Sequence, residues 1–416
     1  MTKLNRRRFL AGCAGLLASA PLLGRMALAQ DANQPRNLII IFARGGWDVS
    51  MALDPKPGNP NVDSAPGDVR LFGDIPILTH PGREEVTRYF SDFGAQTALI
   101  NGVAVQSIAH PECVKRVLTG TTRETNPDLG AIVGHTTGAG LPVPYFILGN
   151  AAFTGPLSGS TGRAGITNQI VALLDPRSSY PTTSPHPAVT PSGDEQALID
   201  RYLGARADAL RQGPARRGLN AARVDDYTTS MERAGLLRDF RDAFGARGIQ
   251  QTLSQQLGLA VEMLSGGVCR AIIAEDPLGW DSHQNNDPIQ TRNHRVFFDA
   301  LAQLAADLER TGLMDHTTVA VFSEMSRTPK RNAEEGKDHW PYTSALLLGA
   351  GVRGGRVFGA TNDLAEGVPI DFATGLPDPG GELLYAENLI AGLLGLLGVE
   401  ASDWLPRANP LQAIVA

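Results

Sequence analysis

The sequence is poor in cysteine and in aromatic residues: of 416 residues three are Cys, and Phe, Trp and Tyr together make up 6%. Cys13 lies in an N-terminal leader, so Cys113 and Cys269 are left for the body of the chain. Neither sits in a C-x-x-C or another zinc-type spacing, which argues against a zinc finger or a thioredoxin-like redox motif. An oxidising compartment would allow the two to pair, and spacing alone leaves that open. No P-loop occurs, and the lone Gly45-Gly46 pair is no dinucleotide fingerprint. After the leader, no apolar run reaches the roughly 18 residues that a membrane span needs. The mature protein is therefore expected to be soluble.

The leader is the first positive signal. Asn5-Arg6-Arg7-Arg8-Phe9-Leu10 fits the twin-arginine pattern, an apolar stretch follows from Leu10 to Leu28, and Ala27-Leu28-Ala29 is a small-x-small cleavage site. Residues 1–29 read as an export signal, with the twin-arginine translocase as the partner during export and the periplasm or the exterior as the destination. Proteins that take this route cross the membrane folded, often with a metal already loaded. The signal carries Lys3, Arg6, Arg7, Arg8 and Arg25 and no acid, so its removal takes the formal net charge from −6 to −11. An acidic mature surface excludes nucleic acid as the expected partner and suits divalent cations.

Residues 30–416 read as one large α/β domain with an insertion. Continuous apolar runs of strand length occur at 37–43, 97–103, 143–148, 269–274, 317–323 and 343–349. Runs apolar on both faces are expected in a mostly parallel, doubly wound sheet covered by helices on each side. Residues 149–193 are rich in Gly, Ser, Thr and Pro and read as loop. Residues 194–265 read as helical, an insertion between strands.

Four clusters that carry chemistry follow predicted strands, where open α/β sheets bind ligands. Gly45-Gly46-Trp47-Asp48 follows the first run, and Asp48 is either a helix N-cap or a metal ligand. Gly279-Trp280-Asp281-Ser282-His283 follows the fourth; Asp281 and His283 can reach one cation, and carboxylate plus imidazole suits zinc or manganese better than magnesium. Ser323-Glu324-Met325-Ser326-Arg327-Thr328-Pro329 follows the fifth; Arg327 is either an ion partner or a fork for an oxyanion. Lys337-Asp338-His339-Trp340 precedes the sixth, with His339 a ligand and Asp338 a ligand or an orienter of imidazole. Together these form the inventory of a two-metal site. Trp47, Trp280 and Trp340 flank these candidates and either pack in the core or wall a pocket and stack on a sugar. His80, His186, His294 and His316 are expected at the surface, and His135 on a helix.

The order of these motifs, with Gly349-Ala350-Gly351-Val352-Arg353-Gly354-Gly355 after them, resembles the exported sulfatase-like family catalogued as domain of unknown function 1501, within the alkaline phosphatase superfamily. The resemblance implies an alkaline-phosphatase-like fold and a metal-dependent hydrolase of phosphate or sulfate esters, the substrate a small molecule or a glycan ester. It implies one or two ions of zinc, manganese or calcium, held by Asp48, Asp281, His283, Glu324 and His339, with Asp338 and Arg327 orienting or binding the oxyanion. It makes Ser107 or an activated water the attacking group, with His110 beside it. Met325 stands where alkaline phosphatases carry a His, which weakens or removes the second metal. Ala109-His110 stands where relatives carry Ser-His, and a non-catalytic metal-binding or assembly factor is the alternative role.

Overall fold

The computed structural model describes residues 35–123, 125–164, 193–213, 220–238 and 252–416. The leader and His186 lie outside the described residues.

Each apolar run forms a strand of one eight-stranded sheet. The strands that matter for the site are β1 (Asn37–Phe42), β4 (Thr97–Ala104), β7 (Ala271–Glu275), β8 (Thr317–Phe322) and β11 (Tyr342–Gly349). Two short strands form a separate hairpin, β2 (Asp68–Phe72) with β3 (Ile75–Thr79). β5 (Tyr145–Ile147), β6 (Thr161–Arg163) and β12 (Arg356–Phe358) complete the large sheet, whose order is β12-β4-β11-β8-β1-β7-β5-β6. All pairings in it are parallel except those of β11, which runs antiparallel to both β4 and β8.

The central strands are apolar on both faces because both faces are covered. In β1, Ile39 and Ile41 join one core while Leu38, Ile40 and Phe42 join the other. The first core is closed by α1 (Glu84–Phe93), α6 (Leu253–Ser265) and α7 (Asn286–Thr311). The second is closed by α2 (His110–Thr119), α3 (Leu129–Thr137) and α8 (Ala386–Leu396). Within the stretch read as an insertion, α4 (Gly193–Gln212) and α5 (Asn220–Arg238) are helical, and α6 packs Leu253, Leu257, Ala260 and Leu264 into the main core. Cys113 and Cys269 are buried and unpaired, and they belong to different cores. Burial pushes the Cys113 thiol up to about 11. Among the described residues no helix is long and apolar enough to cross a membrane.

The topology gathers the motifs at one edge. The parallel strands β1, β7, β8 and β4 all end there. Because β11 runs the other way, the segment before it, including the two-residue strand β10 (His339–Trp340), arrives at the same edge. β10 pairs with β9 (Ser326–Arg327), which sets His339 opposite Arg327.

Candidate metal centre

The loop after β1 turns through two glycines. Gly45 has φ +114°, and a Cβ there would stand 2.6 Å from the Asp281 amide nitrogen. The missing side chain therefore lets the loops after β1 and β7 touch. Gln290 of α7 knits them together: its Oε1 accepts from the Asp48 amide (2.9 Å) while its Nε2 donates to the Trp280 carbonyl (2.8 Å). Gly336 plays a like part, since a Cβ there would collide with the His283 carbonyl.

Three imidazoles meet around one carboxylate. His110, at the N-terminal end of α2, His339 and Asp281 each offer a ligand atom within 4.8 Å of the others. Asp281 has His110 Nε2 at 3.5 Å, His283 Nε2 at 3.2 Å and His339 Nε2 at 3.8 Å. The other nitrogen of each ring is engaged by a group that can only accept. His110 Nδ1 donates to Glu324 Oε1 (2.8 Å), His283 Nδ1 to Asp338 Oδ1 (2.8 Å) and His339 Nδ1 to the Ile108 carbonyl (2.7 Å). Each neutral ring therefore carries its proton on Nδ1 and presents a bare Nε2 lone pair inward. His283 Nε2 and His339 Nε2 lie 3.0 Å apart. Two lone pairs at that separation, beside a carboxylate, repel unless a cation stands among them. Two buried atoms here have no hydrogen-bond partner, His110 Nε2 and Glu324 Oε2. The residues fit a divalent ion: imidazole and carboxylate donors with an outer layer of carboxylate and carbonyl acceptors are what zinc sites use.

The electrostatics are mixed. Burial would raise the Asp281 carboxyl, but the Arg327 guanidinium and the neighbouring imidazoles outweigh it and hold it below the usual carboxylate range. The His283 hydrogen bond likewise holds Asp338 low. Burial lowers His339, which keeps it neutral and able to bind metal near pH 7. The Glu324 hydrogen bond raises His110, so protons and a metal compete for that ring.

Several sequence expectations need correction or reassignment. Asp48 is not drawn into this group. Its side chain caps a short helical turn at Val49–Met51 and pairs with buried Lys337 at 2.8 Å. Arg327 is not free to clamp an oxyanion: it is buried, donates to the carbonyls of Gly45, Gly46 and Lys337, and pairs with Asp281 at 2.8 Å. Glu324 orients His110, and Asp338 takes the orienting role at His283. Ser107 is half-buried, and its Oγ accepts from the Ala109 amide (3.2 Å) and bonds to the Cys113 thiol. Gln106 before it holds φ +61°, a left-handed conformation uncommon for a side-chain-bearing residue.

Trp47 and Trp280 are core residues, fully buried edge to face at 6.3 Å, with their indole N–H groups on Thr343 and Asp276. Of the three flanking tryptophans, Trp340 alone is partly exposed. His294, expected at the surface, is buried against Trp280 and Phe298. His80 caps a turn, His135 is exposed on α3 and His316 is half-buried. The sequence reading missed Lys337 and Gln290. A Lys two residues before a ligand His is the only local hint of the first, and nothing local marks the second.

The model of a family described as "Protein of unknown function (DUF1501)" matches residues 35–371. No curated protein sequence matches the chain. Among solved structures, it is similar to the C-terminal periplasmic domain of EcEptC from Escherichia coli in complex with Zn, at 12% identity and TM-score 0.46, covering 91% of this chain and 87% of that one. It is similar to a protein in the alkaline phosphatase superfamily from Vibrio parahaemolyticus, at 11% identity and TM-score 0.40, covering 88% and 67%. A third likeness is to the lipoteichoic acid synthase LtaP from Listeria monocytogenes, at 9% identity and TM-score 0.38, covering 92% and 76%.

Proposed function

We propose that this chain, which belongs to the DUF1501 family, is an exported metal-dependent hydrolase of phosphate or sulfate esters. In this reading it leaves the cytoplasm by the twin-arginine route and works in the periplasm or outside the cell. The observation that carries the proposal is the convergence of three Nε2 lone pairs on Asp281, with every Nδ1 proton already committed. Neutral imidazoles so arranged, with a carboxylate, are a ligand set for zinc ahead of manganese or calcium.

His110, Asp281, His283 and His339 would hold the ion. When bound, a divalent cation polarises an ester oxygen and lowers the pKa of water. The chain's own residues supply the rest. Asp338 and the Ile108 carbonyl fix the rings of His283 and His339, so the ligand set is ordered before any substrate arrives. Glu324 holds the Nδ1 proton of His110 in place. Arg327, with its donors on three carbonyls, stiffens the loop after β1 and keeps Asp281 ionised. Ser107, on the loop that meets His339 through Ile108, is the side chain we assign to attack.

The test is elemental analysis of the exported protein purified without chelator, beside an Asp281→Ala/His283→Ala variant, followed by a screen of phosphate and sulfate esters. Stoichiometric zinc or manganese lost in the variant, with ester turnover lost in parallel, is the expected result. A wild-type protein without stoichiometric metal would sink the proposal. A specific observation favours a second reading, a non-catalytic metal-binding or assembly factor: Arg327 spends its donors inward, and the Ser107 hydroxyl already bonds Ala109 and Cys113. Metal retained with no turnover of any ester, and no effect of Ser107→Ala, would select that reading.

A further inference from the structure

We propose that Lys337 supplies at Asp48 the positive charge that a second metal ion would have brought, so that the protein binds one divalent cation per chain. The inference rests on the metal-site reading above and narrows it. The sequence resemblance places one or two ions here, with Asp48 among the ligands. The residues fit the first ion and do not fit a second at Asp48.

The carboxylate is already saturated. Asp48 Oδ1 accepts from the Ser50 amide (3.1 Å) and the Ser50 hydroxyl (2.6 Å). Asp48 Oδ2 accepts from Asn286 Nδ2 (2.8 Å) and pairs with Lys337 Nζ (2.8 Å). An ionised carboxylate has about four acceptor positions, and all are used. The pair is sealed, with side-chain exposures of 0% for Lys337 and 1% for Asp48. Lys337 Nζ also donates to the Ser50 hydroxyl (3.1 Å). The backbone of Lys337 is pinned as well: its amide donates to the Ser282 carbonyl (3.0 Å) and its carbonyl accepts from Arg327 (3.3 Å). A metal ion at Asp48 would have to expel a fully buried ammonium that, among the described residues, has no other ion pair, and an uncompensated buried charge is strongly disfavoured. Glu324, the other residue expected at a second ion, gives Oε1 to the Gly45 amide (2.8 Å) and to His110, so it serves the first site.

Zinc titration with elemental analysis on the full mature chain tests the count. Wild type should retain one equivalent. Because Lys337→Met or Asp48→Asn alone unbalances a buried pair, the informative variant is Asp48→Asn/Lys337→Met, which removes both charges at similar volume. Checked as folded by circular dichroism, it should keep one equivalent with a Kd within about threefold of wild type, less than the roughly tenfold that even an outer-shell partner costs. Two equivalents in wild type, or loss of the bound ion from the folded double variant, would overturn the inference and leave the metal-site reading standing. No zinc in wild type would overturn the metal-site reading itself.

Discussion

The Nε2 atoms of His283 and His339 lie 3.0 Å apart, although both rings have already committed their Nδ1 protons to oxygen acceptors. Bare lone pairs so close repel, which favours a proton at low pH, or a cation, between or beside them. Zinc binding should therefore be coupled to proton release, strongly so as the solution is acidified. The Glu324 hydrogen bond raises His110 and burial lowers His339, so His110 holds its proton to higher pH than His339 does. Calorimetric titration in buffers of different ionisation enthalpy should show little proton release at about pH 8 and clearly more at about pH 6. Release that does not rise on acidification would mean that protons and zinc do not compete for these rings.

Removing a ligand and removing its orienter should differ in degree. His339→Ala takes away an inward lone pair and should weaken zinc binding by more than about 100-fold. Asp338→Ala leaves the His283 ring in place but frees it to rotate, and should cost about 10- to 100-fold. Asp338→Asn should cost less, because the amide oxygen still accepts from Nδ1. Competition against a chromogenic chelator measures all three. Equal losses for His339→Ala and Asp338→Ala would make Asp338 a ligand.

Arg327 separates a brace from a substrate clamp. Its guanidinium is buried and bonds three backbone carbonyls as well as Asp281. Arg327→Met should strand those acceptors and destabilise the fold by about 2–4 kcal/mol, read from urea denaturation midpoints. A variant as stable as wild type, yet weaker in binding phosphate or sulfate, would return Arg327 to the oxyanion role that the sequence suggested.

What could be read from the sequence was what depends on neighbours along the chain. A strand covered on both faces must be apolar at every position, so the runs at 37–43 and 317–323 announced β1 and β8 directly. Chemistry at the ends of such runs followed from topology alone, and His110, Asp281, His283 and His339 do converge. What depends on distant partners could not be read. Asp48 looked like a ligand because its partner, Lys337, arrives from the far end of the chain. Arg327 looked like an anion fork because backbone carbonyls leave no mark in a sequence. For Trp47 and Trp280 the sequence left pocket wall and core packing open, because their neighbours are candidate ligands, and the loops turn both rings into the core. His294 sits in a polar-looking stretch of α7, where only the helical period against Trp280 and Phe298 betrays that it faces inward.

His294 makes the last prediction, and it concerns stability. The ring is buried, its Nδ1 donates to the Gln290 carbonyl (2.8 Å), and Nε2 has no hydrogen-bond partner. Burial, reinforced by the Arg83 charge and only partly offset by the Gln290 carbonyl and the Asp48 carboxylate, depresses it to about 4. The unfolded ring titrates at about 6.5. Between those values the unfolded chain binds a proton that the folded chain does not, so this contribution is present above about pH 6.5 and is lost as the pH falls toward about 4. At about pH 5 the loss amounts to about 2 kcal/mol relative to about pH 8. His294→Phe removes the titrating group and keeps an aromatic ring against Trp280 and Phe298. In metal-free protein, the stability difference between these two pH values should therefore be smaller in the variant by about that amount, even if its absolute stability shifts. Urea denaturation of both proteins at both pH values, with chelator present so that the metal ligands contribute equally, provides the comparison. An unchanged pH dependence in the variant would mean that His294 is protonated, or reaches water, in the folded protein.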